Sequence, residues 1–529
     1  MSYVRFEMFK NCFNFCTRPR PILFFKSNHI CKISNFTAKS ISCYGFSNKI
    51  SIKSYSKDQE EHPLRKTMRI LKSDMKYLIK LIDGQATVEN LKPSDHFPNH
   101  CDVLIVGGGV IGSSIAYWLK QRALSGLHVV VLEKDASVMN SEFIDCQYTQ
   151  ASTPLSVGGL RQQFSLPENI EMSVFGAEFM RNIGDYLTVE GHEPPNVQFT
   201  PNGYLFLATE KSAHILERNS KLQQSLGAKN ELLTQNKIKK KFPWLNVDGI
   251  ELGCHGLENE GWIDPWSLLM AFKKKAIALG AEYITGDLDH FKFRRMSDIV
   301  MDNIPLGEYE GLNEAIVTLP DGQTESITFS QLVIAAGCRS GEVGQLARMG
   351  NGPGFLGLPI PVEPRKRYVY CFHCPGGPGL KTPLVVDPSG TYVRREGTSD
   401  NYLCGRSPDA EDEPSCENLE VDYDYFNEKI WPTLANRVPV FESLKVKSAW
   451  AGYYDYNTFD KNALIGPHPS YMNVLIATGC SGHGLQQAPA IGRAIMELMI
   501  DGHYKTIDLT RMQFERIFHE EYLLEDNIV

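Results

Sequence analysis

The chain of 529 residues is predicted to fold as an α/β protein, in which a parallel sheet is interrupted by inserted antiparallel strands. Short apolar runs that end in small residues indicate the buried parallel strands, at 103–106 (VLIV), 332–337 (LVIAAG) and 473–479 (NVLIATG). Between them, 198–208 and 361–450 show the alternation and turn signals of antiparallel strands. The chain is therefore expected to enter one sheet three times, with two insertions.

The first apolar run leads into a glycine-rich turn. Gly107, Gly109 and Gly112 fall at GxGxxG spacing, and 111–120 continues at helical period without a breaker. In a strand, turn and helix unit of this kind the glycines permit a tight turn, close approach of a pyrophosphate and close helix packing. The phosphates then lie on the unpaired amides at the helix start.

An acidic residue completes this pattern. The next apolar run, 129–132, ends in Glu133, about 20 residues beyond the glycines, where a carboxylate binds ribose hydroxyls and disfavours a 2′-phosphate. A Rossmann-type dinucleotide site is predicted, and the alternative is a glycine-rich turn in another α/β domain. The predicted site comprises Gly107, Gly109, Val110, Ile111, Gly112, Glu133 and Lys134.

Charge and hydropathy exclude some classes of function. The net charge of -8, with no basic stripe in the body, gives no reason to expect nucleic acid as a partner. No run approaches the roughly 18 to 20 apolar residues that span a bilayer. Residues 1–57 carry ten Lys or Arg and a single acid, which is typical of a mitochondrial transit peptide. The alternative is a disordered basic tail.

The segment 62–84 is predicted to form an amphipathic helix that packs on the protein's own body, with docking to a partner as the alternative. The predicted domains are a transit peptide (1–57), this helix and a linker (58–100), a discontinuous cofactor domain (101–190, 262–350 and 445–529) and a substrate or interaction domain (191–261 and 351–444).

The 13 cysteines are scattered and do not suggest a disulfide framework. Cys371 and Cys374 form a CxxC pair, but no second Cys or His pair follows at zinc-site spacing. No metal site is predicted. The favoured interpretation is an alternating strand that ends in two thiols.

A second glycine-rich turn follows the third buried strand. Gly479, Gly482 and Gly484 precede a helix that is predicted from about Pro489 to Met499. Such an entry exposes unpaired amides and the positive end of a helix dipole.

These features resemble the D-amino-acid oxidase and sarcosine oxidase class of FAD-dependent amine oxidoreductases over roughly 101–502. The resemblance implies an FAD-binding domain with an inserted antiparallel substrate domain, in which the first glycines and Glu133 hold ADP. It also implies that the late glycine loop faces the flavin and stabilises its reduced form. The further cofactor residues implied are Gly159, Arg161, Ala336, Gly337, Gly479, Gly482, His483, Gly484 and Leu485.

Arg161 is the candidate catalytic residue, because an arginine at the flavin face holds a carboxylate or stabilises reduced flavin. The alternative is an ion-paired, structural arginine. His483 is expected to pack or hydrogen-bond structurally rather than to act as a base.

The chain departs from this class at three places. Gly452 or Tyr453 stands where sarcosine oxidases attach flavin to a cysteine, and Ser156 and Val157 stand where dimethylglycine dehydrogenases have a histidine. FAD is therefore expected to bind without a covalent bond. Gln486 follows the late loop where sarcosine oxidases carry a lysine, so weak or absent turnover of sarcosine and dimethylglycine is expected.

Three segments, STPLSVGGLRQQFSLPEN, EPRKRYVY and YYDYNTFDKNALIGP, resemble a mitochondrial branch of the class that promotes assembly of respiratory complex I. That resemblance implies a matrix protein, peripheral on the inner membrane, with complex I subunits or assembly intermediates as partners. The alternatives are a dehydrogenase of a small N-methylated amino acid that passes electrons to another protein, and a non-catalytic regulatory subunit.

Overall fold

A computed structural model describes residues 97–134, 150–299 and 307–526, all within the compact unit Thr67–Val529. The predicted leader and the predicted helix at 62–84 lie outside these residues. The described strands are β1 (His100–Val106), β2 (Val129–Glu133), β3 (Gly159–Leu160), β4 (Tyr204–Ala208), β5 (Asn230–Thr234), β6 (Leu252–Gly256), β7 (Gly261–Trp262), β8 (Glu282–Thr285), β9 (Asp287–Arg295), β10 (Glu310–Thr318), β11 (Thr324–Ile334), β12 (Val362–His373), β13 (Leu384–Val386), β14 (Tyr392–Glu396), β15 (Asn401–Gly405), β16 (Lys445–Asn457), β17 (Leu464–Pro467) and β18 (Val474–Thr478).

The described helices are α1 (Val110–Ala123), α2 (Pro167–Arg181), α3 (Ile183–Leu187), α4 (Glu210–Ser225), α5 (Gln235–Lys241), α6 (Pro265–Ala278), α7 (Ser340–Leu346), α8 (Tyr423–Tyr425), α9 (Trp431–Arg437), α10 (Gly484–Asp501) and α11 (Glu515–Phe518). In the part of the chain that the structure describes, none of the helices is long and apolar enough to cross a bilayer.

The first sheet has the order β17-β18-β11-β1-β2-β8, with β10 and β9 added at β11. Along the series β18-β11-β1-β2-β8 each strand is parallel to the next, and the remaining pairs are antiparallel. The three apolar runs predicted from sequence therefore lie side by side in one sheet. Because their carboxyl ends meet at the same edge, the turns after β1, β11 and β18 converge there.

The second sheet has the order β16-β12-β15-β14-β13-β4-β6-β5 and is antiparallel except between β13 and β4. Its strands come from the two predicted insertions and the segment 445–457. A third pair, β3 with β7, is antiparallel. The strand β3 lies in the connection from β2 to β4, and β7 lies in the connection from β6 to β8. The architecture confirms the predicted α/β fold with an inserted antiparallel domain.

The turn after β1 explains why glycine occupies two of its positions. Gly107 has a φ of +108°, and a Cβ there would lie 2.3 Å from the Ala335 carbonyl oxygen of the neighbouring strand. A Cβ on Gly112 would lie 1.9 Å from the Gly107 carbonyl oxygen. Larger residues would push α1 away from β1, and the turn could not close.

The crossing of α1 and α10 depends on another close approach. A Cβ on Gly492 would lie 2.2 Å from Ser114 Oγ and 2.7 Å from its backbone carbon. Ser114 Oγ donates to the Ala488 carbonyl oxygen (2.7 Å), and Trp118 Nε1 donates to the Pro489 carbonyl oxygen (2.9 Å). These contacts hold the two helices that lead from the glycine-rich turns against each other.

The predicted start of the last long helix was wrong by five residues. The helix begins at Gly484, directly after the glycine loop, and Pro489 lies inside it. Pro489 cannot donate to the carbonyl oxygen of Leu485, so the helix loses one backbone hydrogen bond in its second turn and continues through it. In α6, by contrast, proline is the first helical residue, Pro265, and the Asp264 carboxylate caps the helix by accepting from Ser267 N (3.0 Å).

Candidate functional site

A cavity of about 850 Å³ lies at the edge where the turns of the first sheet converge, and the second sheet supplies its other wall. Its volume falls within the range of pockets that enclose cofactors and small ligands. Fourteen of the residues predicted from sequence line it: Gly107, Gly109, Val110, Ile111, Glu133, Lys134, Gly159, Arg161, Ala336, Gly337, Gly482, His483, Gly484 and Leu485.

Two predicted residues lie behind the wall instead of in it. Gly112 packs on the Gly107 carbonyl, and Gly479, with a φ of +73°, lies beside Val362 and Asn457. Both shape the turns that carry the lining residues.

The end of the cavity beside β2 has the chemistry of a nucleotide site. The Glu133 carboxylate accepts a hydrogen bond from Gly108 N (2.6 Å), and Lys134 Nζ pairs with Asp287 (2.7 Å). Burial lowers the pKa of Lys273 to about 8, and the nearby Glu133 carboxylate opposes this shift. Glu133, which the sequence predicts to bind a ribose, is therefore held at the glycine turn by the Gly108 amide and by the positive charge of the buried Lys273.

The glycine turn leaves room for a pyrophosphate. Gly109 precedes the first residue of α1 and lines the cavity, and a Cβ built there would meet only Thr153 Oγ1, at 3.5 Å. Thr153 Oγ1 accepts from Val110 N (3.2 Å) at the same helix start. The protein thus tolerates a small side chain at Gly109, and the space in front of it belongs to the cavity. This cradle fits the phosphates of FAD.

Arg161 is enclosed at the junction of both sheets. It is 6 % exposed, its guanidinium lies over the rings of Phe164 (4.1 Å) and Phe206 (5.3 Å), and Nη1 donates to the Gln163 carbonyl oxygen (2.7 Å). Its backbone N donates to Gln486 Oε1 (2.6 Å). Burial lowers the pKa of Arg161, and Tyr204, Glu525 and Glu260 oppose this shift.

Gln486 therefore makes a structural contact at the position where sarcosine oxidases carry a charged lysine. Its side-chain oxygen fixes the backbone at Arg161, and the residue also lines the cavity. A lysine at this position could not accept that bond.

Glu260 is a buried carboxylate that sequence analysis did not single out. It is 2 % exposed and accepts from Gln162 N (2.7 Å) and Gln163 Nε2 (2.9 Å), the two residues after Arg161. Burial raises its pKa to about 7, against the effect of these donors and of Arg161. Glu260 thereby positions the segment that carries Arg161, and only the register of β3 with β7 brings them together.

The late glycine loop places His483 at the start of α10. Its Nδ1 lies 2.8 Å from the Cys480 carbonyl oxygen, and its ring packs edge-on against Phe164 (5.0 Å). Burial and then the Arg161 guanidinium lower the pKa of His483 to about 3. A neutral, buried imidazole of this kind is a weak base, and its contacts are those of a packed structural residue.

The positions of the two flavin tethers carry no tethering side chain. Gly452 and Tyr453 lie on β16, Ser156 and Val157 lie before β3, and all four line the cavity.

Cys371 and Cys374, the CxxC pair, are free thiols on and just after β12. In the described ranges of the chain, no cluster of three or more His, Cys, Asp or Glu side chains is placed to hold a metal ion.

The family of the chain is shown by its similarity to known proteins. Residues 102–498 match the model of the DAO family, described as FAD dependent oxidoreductase. The chain belongs to the DAO family. Its members bind FAD, and the cavity between the two sheets is the place for it. FAD, when bound, accepts two electrons from a donor.

The chain is 49 % identical over 437 residues to FAD-dependent oxidoreductase domain-containing protein 1 of Xenopus laevis, covering 82 % of this chain and 85 % of that protein. It is more distantly related to mitochondrial sarcosine dehydrogenase of Mus musculus, with 23 % identity over 84 % of this chain and 46 % of that protein. The structure of L-proline dehydrogenase from P. horikoshii shares the fold, with a TM-score of 0.64 and 23 % identity over 81 % of this chain and all of that one.

We expect FAD to leave this DAO-family protein on denaturation, because no cysteine or histidine stands at either tethering position. Acid precipitation of the purified protein should release the flavin into the supernatant. Yellow colour that stays with the pellet would mean that another residue forms a covalent bond.

The buried ionisable groups also predict how stability depends on pH. His483 (pKa about 3), His255 and His468 (each about 4) are stabilising when neutral, so their contribution is lost as pH falls below the ordinary value of 6.5. Glu260 (about 7) and Asp455 (about 6) act in the opposite sense, because burial favours their protonated forms and their contribution is lost as pH rises.

Between about pH 6 and pH 4.5, the three histidines bind protons only in the unfolded state, whereas Glu260 and Asp455 bind protons only in the folded state. Unfolding in this range therefore takes up about one net proton. The free energy of unfolding should fall by about 1.4 kcal/mol for each pH unit of acidification. Glu260→Gln removes one opposing group and should roughly double that slope in denaturant titrations at the two pH values. An unchanged slope would contradict the assignment of a raised pKa to Glu260.

Proposed function

We propose that this DAO-family chain is a mitochondrial FAD-binding protein that promotes the assembly of respiratory complex I. The observation that carries the proposal is the convergence of three separate segments on the cavity. The segments that resemble the complex I assembly branch contribute, among others, Val157 and Arg161, Arg367 and Tyr368, and Tyr454 to its lining. The features on which the resemblance rests are therefore those of the cofactor and ligand site.

The basic, acid-poor segment 1–57 supports the mitochondrial part of the proposal. The relationship to a dehydrogenase that is itself described as mitochondrial agrees with it. In this proposal the protein works in the matrix, peripherally on the inner membrane, with complex I subunits or assembly intermediates as its partners.

A second candidate function is dehydrogenation of a small amine or N-methyl amino acid, with electrons passed to another protein. The second sheet supports it, because it contributes apolar and aromatic side chains to the cavity lining, and one of them, Tyr454, lies beside Gly482 of the late glycine loop. In this function the aromatic wall excludes water and orients the ligand, and the amides at the start of α10 stabilise negative charge on the reduced cofactor.

Affinity purification from mitochondria tests the first proposal. The tagged, full-length chain should co-elute with complex I subunits, and the same chain without residues 1–57 should neither reach the matrix nor recover them. N-terminal sequencing of the imported protein should find a start near residues 54–58. A mature protein that still begins at Met1, or a purification without complex I subunits, would contradict the proposal.

A panel of amines and hydroxy acids tests the second candidate. Anaerobic bleaching of the flavin by one compound would establish a dehydrogenase. No bleaching together with recovery of complex I subunits would favour a role in assembly without turnover, and no bleaching with a different partner would favour a regulatory subunit.

A further inference from the structure

The wall formed by the second sheet carries two arginines to which the proposed function gives no chemical role. Arg367 lies on β12 and Arg406 directly after β15, and both line the cavity. Their side chains are 20 % and 18 % exposed. Apart from Asp455, the other side chains that line this wall are mainly tyrosines and aliphatic residues, and two cations among them indicate an anionic ligand.

Contacts place Arg367 close to the late glycine loop. Its Nη2 donates to Tyr454 Oη (3.0 Å), and its guanidinium lies 4.7 Å from the centre of that ring. The same ring lies 3.8 Å from the position that a Cβ on Gly482 would occupy. One aromatic side chain thus separates Arg367 from the late glycine loop.

The two arginines also lie near each other. Arg406 follows Gly405, the last residue of β15, and a Cβ on Gly405 would lie 2.8 Å from the carbonyl oxygen of Tyr368, the residue after Arg367 on the paired strand β12. In the part of the chain that the structure describes, the buried Nε atoms of Arg367 and Arg406 have no hydrogen-bond partner. Both Nε atoms are shielded from the cavity, so a ligand there must bind the terminal nitrogens, where it competes with the acceptors already present.

An acidic loop supplies a carboxylate to each arginine. Glu413 accepts from Arg367 Nη1 (2.5 Å), and Asp409 pairs with Arg406 Nη2 (3.1 Å). Tyr453 Oη donates to the Cys416 carbonyl oxygen (2.8 Å), which fixes the loop against β16. Two carboxylates from the acidic loop, residues 408–417, therefore already bind the two arginines of this wall.

We propose that Arg367 and Arg406 form a subsite for a dicarboxylate, and that Glu413 and Asp409 compete with this ligand for the two guanidiniums. The inference rests on the second candidate function only in treating the cavity as a site for a small ligand beside FAD. A dicarboxylate satisfies both cations, whereas a monocarboxylate leaves one of them to the loop. The acidic loop consequently sets the affinity of the site.

Titration of the FAD-loaded protein with succinate and with butyrate tests the subsite, because these acids have the same carbon number and differ in one carboxylate. Binding is measured by the perturbation of flavin absorbance and by calorimetry, without turnover. Succinate should bind at least about tenfold more tightly than butyrate. Equal affinities, or no binding of either acid, would overturn the proposal.

Variants assign the effect to these residues. Arg367→Gln should abolish the preference for succinate, while Glu413→Gln, which leaves the arginine in place, should raise succinate affinity about tenfold. Arg348→Gln removes an exposed arginine paired with Glu310 outside the cavity and serves as the control, with both affinities unchanged. A preference that survives Arg367→Gln, or an unchanged affinity in Glu413→Gln, would refute the subsite. None of these results depends on complex I assembly or on oxidation of an amine.

Discussion

Replacement of Gly109 by tryptophan should yield a folded protein that contains no FAD. Gly109 has an ordinary φ of -64°, and a Cβ there meets only Thr153 Oγ1 at 3.5 Å. A side chain at this position therefore does not clash with the rest of the protein. The indole instead fills the space in front of the helix start, where the pyrophosphate binds. We expect affinity for FAD to fall at least about a hundredfold, which corresponds to about 2.7 kcal/mol.

The measurement is the ratio of flavin to protein absorbance after purification, with the far-UV circular dichroism spectrum as the check on folding. Gly126→Trp is the matched control, because Gly126 is exposed and has no neighbouring atom within 4 Å of a Cβ. It should retain a full complement of flavin. Full flavin content in Gly109→Trp would show that the pyrophosphate does not lie at this turn.

The second large effect is expected at Gly492, where α1 and α10 cross. A leucine there must displace Ser114, whose Oγ would lie 2.2 Å from the new Cβ, and would break the bond from Ser114 to the Ala488 carbonyl oxygen. Overpacking of a close helix crossing should lower the free energy of unfolding by about 3 kcal/mol. Because both helices carry cofactor turns, flavin should also dissociate earlier on heating.

Denaturant titration compares Gly492→Leu with Gly126→Leu, which adds the same side chain at an open surface site. The control should unfold within about 0.5 kcal/mol of the wild type. Equal stability of the two variants would mean that the crossing can open without cost and that this close contact does not hold the helices.

The nucleotide end of the cavity could be predicted because its parts are close in sequence. Gly107, Gly109 and Gly112 lie within one turn, and Glu133 ends the next strand, so spacing and hydrophobic pattern were enough to predict a dinucleotide site. The start of α10 was predicted five residues late, because proline is typical of the first helical position, whereas Pro489 lies in the second turn of α10.

The ligand end could not be predicted in the same way. Arg367 and Tyr454 meet only because β12 pairs with β16, and Arg406 reaches the same wall through β15. A sequence does not show the register of strands separated by 40 to 90 residues. Glu260 was missed for the same reason, since its partners Gln162 and Gln163 are nearly 100 residues away.

In the proposed function, assembly of complex I requires the FAD-loaded fold more than it requires chemistry at Arg161. Complementation of a null cell line at matched protein abundance, followed by native-gel measurement of complex I, tests it most directly with three variants: Gly109→Trp, Gly126→Trp and Arg161→Ala. Gly126→Trp should restore complex I fully, Gly109→Trp should not restore it, and Arg161→Ala should be less impaired than Gly109→Trp. If Arg161→Ala retains FAD and normal abundance but is as defective as Gly109→Trp, the account is contradicted and the site must perform chemistry for assembly.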